Sequence, residues 1–252
     1  MPFPSRNAAA DPAPRPLLLG HRGARKQAPE NTLAAFDLAL QQGCDGFEFD
    51  VRRTADGMAL ICHDPVVAGA EIAKTPYRQI LNRACSDAIP KALRLLGGGL
   101  PGGGKPLPLL EDVLERYAVR AFLDIEVKVT GLEDQVLEAL HSCPPQRGFV
   151  VSSFQAEILK SIRARDARVP LGLICDQRKE LVRWPVLPVE YIIPHSNLLT
   201  RNLIEEAHTA GKKILVWTVN SKGEMLRLAK AGVEGIISDD TQRLVRTLGG
   251  NT

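Results

Sequence analysis

Cysteine is sparse and scattered. Cys44, Cys62, Cys85, Cys143 and Cys175 are odd in number, far apart and never spaced as Cys-x-x-Cys, which excludes a disulfide scaffold and a structural zinc site and fits a reducing, cytoplasmic setting. Charge of one sign is equally short. The 32 Lys and Arg against 29 Asp and Glu leave a formal net charge of +3, too small and too dispersed for a nucleic-acid footprint, so no nucleic-acid partner is expected. The opening stretch from Met1 to Pro16 holds no apolar run long enough for a signal peptide or a membrane span. Residues 1–15 are therefore expected to form a flexible tail, with no stable membrane insertion. No Gly-x-Gly-x-x-Gly follows a strand-like run, so the signature of a dinucleotide site on an open doubly wound sheet is missing.

What is present is a rhythm. Short apolar runs near residues 17–21, 45–51, 121–127, 148–152, 169–174, 190–194, 213–219 and 234–238 alternate with helical patterns at 31–42, 109–117, 132–141, 155–165, 176–182, 200–210, 221–231 and 240–248. Asn31 reads as an N-cap, and Gly43, Gly211 and Gly232 as helix ends. A chain of 252 residues, 44% hydrophobic, with such a repeat predicts an α/β fold, a closed TIM (β/α)₈ barrel, in one domain over residues 16–252. The rhythm breaks over about residues 64–108, which follow the short strand-like run Met58 to Cys62 and include six glycines among residues 97–104. This is read as a short glycine-rich insertion after the second strand, a mobile loop acting either as a lid or as a plain connector.

Two strand-like stretches carry the chemistry. In Asp45 to Val51, Glu48 and Asp50 alternate with Phe47, Phe49 and Val51, and in Phe122 to Val129, Asp124, Glu126 and Lys128 repeat the pattern. In a parallel sheet covered on both sides, such carboxylates are removed from bulk water and need protonation, a basic partner or a bound cation. A divalent cation with oxygen ligands satisfies them together.

His21 and Arg22 end the first strand, in Leu19-Gly-His-Arg-Gly23, and His63 ends the short strand after the acidic pair, in Ile61-Cys-His-Asp-Pro65. Both histidines are thereby brought to the rim where barrel enzymes display reacting groups, as an acid/base pair, as metal ligands or as ordinary hydrogen-bonded side chains. Arg22 offers a fork for phosphate oxygens and Lys128 a point charge, unless they only pair with acids or, for Arg22, face solvent. Trp217 either closes over an alcohol group or packs in the core. Ser153 and Phe154 either line the pocket or, for the serine, cap a helix, and Asn220 caps or turns the chain after Val219.

The ordered set His21-Arg-Gly, Pro29-Glu-Asn-Thr32, Glu48-Phe-Asp50, His63-Asp64, Glu126-Val-Lys128, Ser153-Phe154 and Trp217-Thr-Val-Asn220 resembles the glycerophosphodiester phosphodiesterase family, from His21 to about Asp239. The resemblance implies a TIM barrel in which Glu48, Asp50 and Glu126 hold a divalent metal, calcium or magnesium. It also implies that His21 and His63 are the acid/base pair, that Arg22 and Lys128 contact phosphate, and that Glu30 supports the site near His21 or the metal shell. The expected activity is metal-dependent hydrolysis of a small-molecule glycerophosphodiester to sn-glycerol 3-phosphate and an alcohol. Two alternatives are a lysophospholipase D-type lipid phosphodiesterase, with Leu93, Leu95, Leu96 and Leu100 as an acyl groove, and an inactive phosphoester-binding protein. A homodimer through the outer helices is allowed, although no helix shows an apolar excess.

Two departures from the family pattern stand out. Pro65 to Thr75 replaces an Arg-Thr-Thr-Gly type segment, and Ile237-Ser-Asp-Asp-Thr241 stands where a Thr-Asp-x-Pro ending is commoner. Neither is expected to touch the metal or acid/base residues.

Overall fold

A computed structural model describes residues 15–88 and 107–250. Eight parallel strands close on themselves: β1 (Leu17–His21), β2 (Gly46–Arg53), β6 (Phe122–Val127), β7 (Phe149–Ser153), β8 (Leu171–Cys175), β9 (Tyr191–Pro194), β10 (Lys213–Val216) and β11 (Gly235–Ser238). Each pairs with the next around the ring, and β1 seals it by pairing with both β2 and β11. Outside the ring run α1 (Leu33–Gln41), α3 (Leu110–Tyr117), α4 (Glu133–Ser142), α5 (Ala156–Arg165), α6 (Arg178–Leu181), α7 (Arg201–Thr209), α8 (Lys222–Lys230) and α9 (Thr241–Leu248). This is the TIM barrel expected from the alternating pattern.

Alternation along each strand sorts side chains into two layers. Phe47, Phe49, Val51, Leu123, Ile125 and Val127 point outward into the main core, where Phe36 of α1 stacks on Phe47 at 4.2 Å and Tyr117 of α3 meets its edge at 5.0 Å. Each such aromatic pair adds about 0.5–1.5 kcal/mol beyond area burial. Leu19, Phe122, Val150, Ile174, Tyr191, Ile193, Leu215 and Ile237 form a second cluster inside the barrel. Gly46 lets β2 and β6 approach, because a Cβ there would lie 1.9 Å from the Phe122 carbonyl oxygen.

Two local expectations are corrected, and the short strand expected before His63 is borne out. Helix α1 starts at Leu33 and is capped by the Thr32 hydroxyl accepting from Ala35 N, not by Asn31, whose φ of 57° takes it out of the helix. The run before His63 is β3 (Ala59–Ile61), paired antiparallel to β2 beside the barrel. The segment after His63 begins with an ordered hairpin, β4 (Val66–Val67) and β5 (Ala70–Glu71), turning through Ala68 at φ 47° and Gly69 at φ 65°, and continues into α2 (Tyr77–Ala88). Tyr77 Oη reaches across to the Leu107 carbonyl at 2.9 Å. The glycine tract at 97–104 and its flanking leucines lie outside the described residues, as does nearly all of the expected tail.

Candidate active site

Strand register assembles the site. Parallel pairing sets His21 against Glu48, Glu48 against Asp124 and Asp50 against Glu126 on three adjacent strands. Because the even-numbered residues of β2 and β6 face inward, four carboxyl groups converge inside one mouth of the barrel. Glu48 is 5% exposed, Asp50 0%, Asp124 1% and Glu126 7%. Oxygens of Glu48, Asp50 and Glu126 all lie within 4.8 Å of one another.

Two cations answer them. Lys128 Nζ sits 2.7 Å from Glu126 Oε1 and 3.2 Å from Asp50 Oδ1, while Arg22 Nε lies 3.2 Å from Asp50 Oδ2. The contacts to Asp50 are charge pairings outside hydrogen-bonding directions, so Asp50 Oδ1 still lacks a donor, as do the buried Glu48 Oε1 and Asp124 Oδ2. Two cations against four carboxyl groups leave a deficit, and the unpartnered oxygens are hard donors of the type calcium and magnesium take. The residues therefore fit a divalent cation.

Burial and crowding set the protonation pattern. Glu48 is pushed well above the ordinary carboxylate range by burial and then by Asp50, Glu126 and Asp124. Burial raises Glu126 to about 7, reinforced by the Asp50 charge. Burial also raises Asp124 to about 7, although the Ser152 hydroxyl donates to its Oδ1 at 2.5 Å. Asp50 differs: burial pushes it up, yet Lys128 and Arg22 prevail and hold it below the usual range. Asp50 is thus the ionised centre of the cluster. Asn31 fixes it, donating from Nδ2 to Oδ2 at 2.8 Å from a left-handed backbone that asparagine tolerates.

His21 is buried beside this cluster, its Nε2 3.8 Å from Glu48 Oε2 and its Nδ1 2.7 Å from Asp239 Oδ1. Burial lowers the imidazole pKa, and the Asp239 bond opposes that shift without reversing it. Asp239 is pulled down to about 2: its own burial raises it, but the bonds from His21 and Asn220 outweigh this. Asn220 donates from Nδ2 to Asp239 Oδ2 at 2.8 Å, and its Oδ1 accepts from Asp239 N at 3.0 Å. The Ser-Asp-Asp-Thr ending therefore does touch an expected acid/base residue, contrary to expectation, and Asn220 does more than turn the chain. Arg25 completes the cluster, 3.3 Å from His21 Nδ1 and 2.7 Å from Glu30 Oε2.

The other candidates fall in three groups. His63 lines the same cavity, more exposed, with Nδ1 2.7 Å from Asp64 Oδ1. Phe154 and Trp217 line it too, edge to face at 5.8 Å, and Trp217 Nε1 donates to the Ile193 carbonyl at 3.0 Å. Glu30 contacts neither His21 nor the carboxylates, but bonds Arg22 Nη1 at 2.9 Å as well as Arg25. Ser153 is outside the lining: its hydroxyl donates to the Val127 carbonyl and accepts from Gln155 N, a strand-end role. The cavity encloses about 240 Å³. Ile174, Ile193 and Ile237 complete its apolar side, opposite the charged one.

Asp124, Asp239, Asn31 and Arg25 were not singled out as site residues from sequence. Asp124 carried a usable signal, since it shares the inward face with Glu126. Asp239 and Arg25 act through partners 218 and 4 residues away, and only the closed ring brings the Asp239 pair together.

A closed parallel barrel with clustered carboxylates, two histidines and two cations at one strand-end mouth defines a class of phosphoester-processing enzyme. Residues 21–243 match the Glycerophosphoryl diester phosphodiesterase family, and the chain belongs to it. The glycerophosphodiester phosphodiesterase of Caldanaerobacter subterraneus subsp. tengcongensis is 29% identical over 242 residues, covering 91% of this chain and 96% of its own. An Oleispira antarctica phosphodiesterase, solved with the product sn-glycerol-3-phosphate, superposes with a TM-score of 0.75 at 25% identity, over 94% of this chain and 98% of that one. A glycerophosphodiester phosphodiesterase from Agrobacterium tumefaciens str. C58 shares the fold, with a TM-score of 0.76 at 24% identity, over 92% and 99%. None of the described helices is long and apolar enough to cross a membrane.

Proposed function

We propose that this chain hydrolyses glycerophosphodiesters to sn-glycerol 3-phosphate and an alcohol, with Glu48, Asp50 and Glu126 holding calcium or magnesium. The observation that carries this reading is the register of β1, β2 and β6, which brings together three mutually close carboxylates, two of them (Glu48 and Asp50) with an unpartnered oxygen, at a cavity that two histidines also line. When bound, the cation supplies positive charge to the non-bridging phosphate oxygens.

The chain's own residues divide the remaining work. The short Asp239 bond favours the tautomer with the proton on His21 Nδ1, leaving Nε2 as acceptor on the side nearer Glu48. His21, kept neutral near pH 7 by burial, removes the proton from the attacking hydroxyl, whether of water or of the substrate's own glycerol. His63, at the more open edge and held by Asp64, returns a proton to the departing alcohol oxygen. Arg22 and Lys128, already inside the cavity, trade part of their carboxylate pairing for phosphate oxygens when substrate and cation arrive together.

Release of glycerol 3-phosphate from glycerophosphocholine tests this. Turnover is expected to vanish with chelator and return with calcium or magnesium, whereas full activity in chelator overturns the metal assignment. A second reading, a lysophospholipase D-type enzyme, is favoured by the apolar side of Ile174, Ile193, Ile237, Phe154 and Trp217. Strong preference for lysophosphatidylcholine over glycerophosphocholine would establish it. Tight substrate binding without product, under either cation, would instead indicate an inactive phosphoester-binding protein.

A further inference from the structure

A second cleft opens on the same rim as the catalytic mouth, and the two share no lining residue. It encloses about 480 Å³, twice the catalytic cavity's 240 Å³. Its walls come from three connections that follow strand ends: Lys26 after β1, Lys222 at the start of α8, and Arg243 and Arg246 one turn apart on α9. Asp240 is the one acid in the lining. Four cations against one carboxylate leave a local charge of +3, equal to the net charge of the whole chain.

The pairing is incomplete. Asp240 Oδ2 is shared between Lys26 Nζ at 2.7 Å and Arg243 Nη1 at 3.5 Å, while Lys222 and Arg246 have no ion-pair partner among the described residues. Asp240 already caps α9 by accepting from Arg243 N at 3.1 Å, so the side chains and not the helix end provide the attraction. Gln27, Gln242 and Thr247 complete the wall with amides and a hydroxyl, and no aliphatic or aromatic residue lines it. Such a surface holds no apolar side chain on which an acyl chain could pack. It suits a small, hydroxyl-bearing polyanion larger than phosphate itself.

We propose that this cleft is a second, metal-free binding site for a phosphorylated polyol. Lys222, Arg243 and Arg246 take the phosphomonoester dianion, and Gln27, Gln242 and Thr247 take the hydroxyls. The site does not depend on the reaction proposed for the catalytic cavity, although the product proposed there falls in the same chemical class.

Calorimetric titration of glycerol 3-phosphate and of inositol 1-phosphate into the full chain, with chelator present, keeps metal out of the catalytic cavity, where Arg22 and Lys128 stay paired to Asp50 and Glu126. Saturable binding is expected, weakened at least about tenfold when Lys222→Gln and Arg246→Gln are added, since each substitution removes a charge-assisted hydrogen bond to the phosphate. Both side chains are exposed and unpaired, and an unchanged melting curve confirms that the fold survives. Equal binding with and without the two substitutions, or no saturable binding to any probe, overturns the proposal. Vesicles separate the sources: inert free polyols together with binding to phosphatidylinositol 4-phosphate vesicles, lost in the double variant, assign the ligand to a lipid headgroup. Equal binding to phosphatidylserine vesicles of matched charge overturns polyol recognition.

Discussion

On one side of the barrel mouth, β1, β2 and β6 present His21, Glu48, Asp50, Asp124 and Glu126; on the other, β8, β9 and β11 present Ile174, Ile193 and Ile237, with Trp217 just beyond β10. The charged half has more carboxyl groups than Arg22 and Lys128 can neutralise. The apolar half has no cation with which to share that charge, and its one charged lining residue, Asp176 just beyond β8, is another acid. The difference is instructive because each half defines the other. Apolar walls exclude water, and this exclusion drives Glu48, Asp124 and Glu126 upward and His21 downward. The three isoleucines, Phe154 and Trp217 leave the non-reacting part of a substrate an apolar surface to rest on.

Substitutions on the charged side should have the larger consequences. His21→Ala is expected to lower kcat by about 10²–10⁴ with the cation still bound, the usual share for a positioned base; near-normal turnover in metal-replete buffer would remove His21 from the chemistry. Asp239→Asn should cost about ten- to a hundredfold, because an amide can donate to Nδ1 and so stabilise the wrong tautomer. Its distinguishing signature is a changed pH–rate profile, and a simple loss of fold would not produce it.

Stability against pH tests the charge excess directly. Asp124 and Glu126 sit at about 7 in the folded protein and near 4 in an unfolded chain, so the folded state holds their protons more tightly. Their contribution is present below about pH 4 and lost as the pH rises towards 7. His21, shifted down, works in the opposite sense, but it is one group against three raised carboxyls. The metal-free protein should therefore melt several degrees lower at pH 7.5 than at pH 5, with calcium restoring the loss at pH 7.5 and doing little at pH 5. A melting temperature that rises across this window would contradict the assignment. The smallest effect belongs to the apolar side, where Trp217→Phe should reduce kcat/KM by about three- to tenfold, mainly through KM. A larger loss in kcat than in KM would place the indole in the reaction itself.

Much of the charged side was legible in the chain. Glu48 with Asp50 and Asp124 with Glu126 alternate against large apolar residues, and in parallel strands that pattern permits few arrangements. Closure of the barrel was equally readable, from eight apolar runs punctuated by helix ends. What stayed hidden depends on contacts between distant segments. Asp239 meets His21 only because β11 pairs with β1. Asn31 looked like a helix cap because capping and carboxylate binding use the same side chain, and only its backbone conformation separates them. The hairpin after His63 was obscured because Val66-Val-Ala-Gly69 is too short to show a period, so a two-residue turn was read as part of a loop.

On the reading proposed above, one divalent cation is held by Glu48, Asp50 and Glu126. Calorimetric titration of calcium and of magnesium into the chelator-treated chain tests it most directly, beside a Glu48→Gln/Glu126→Gln variant of verified fold. Saturation at one ion per chain in the parent and its loss in the variant is the predicted result. Binding of equal strength and stoichiometry in both proteins would contradict it.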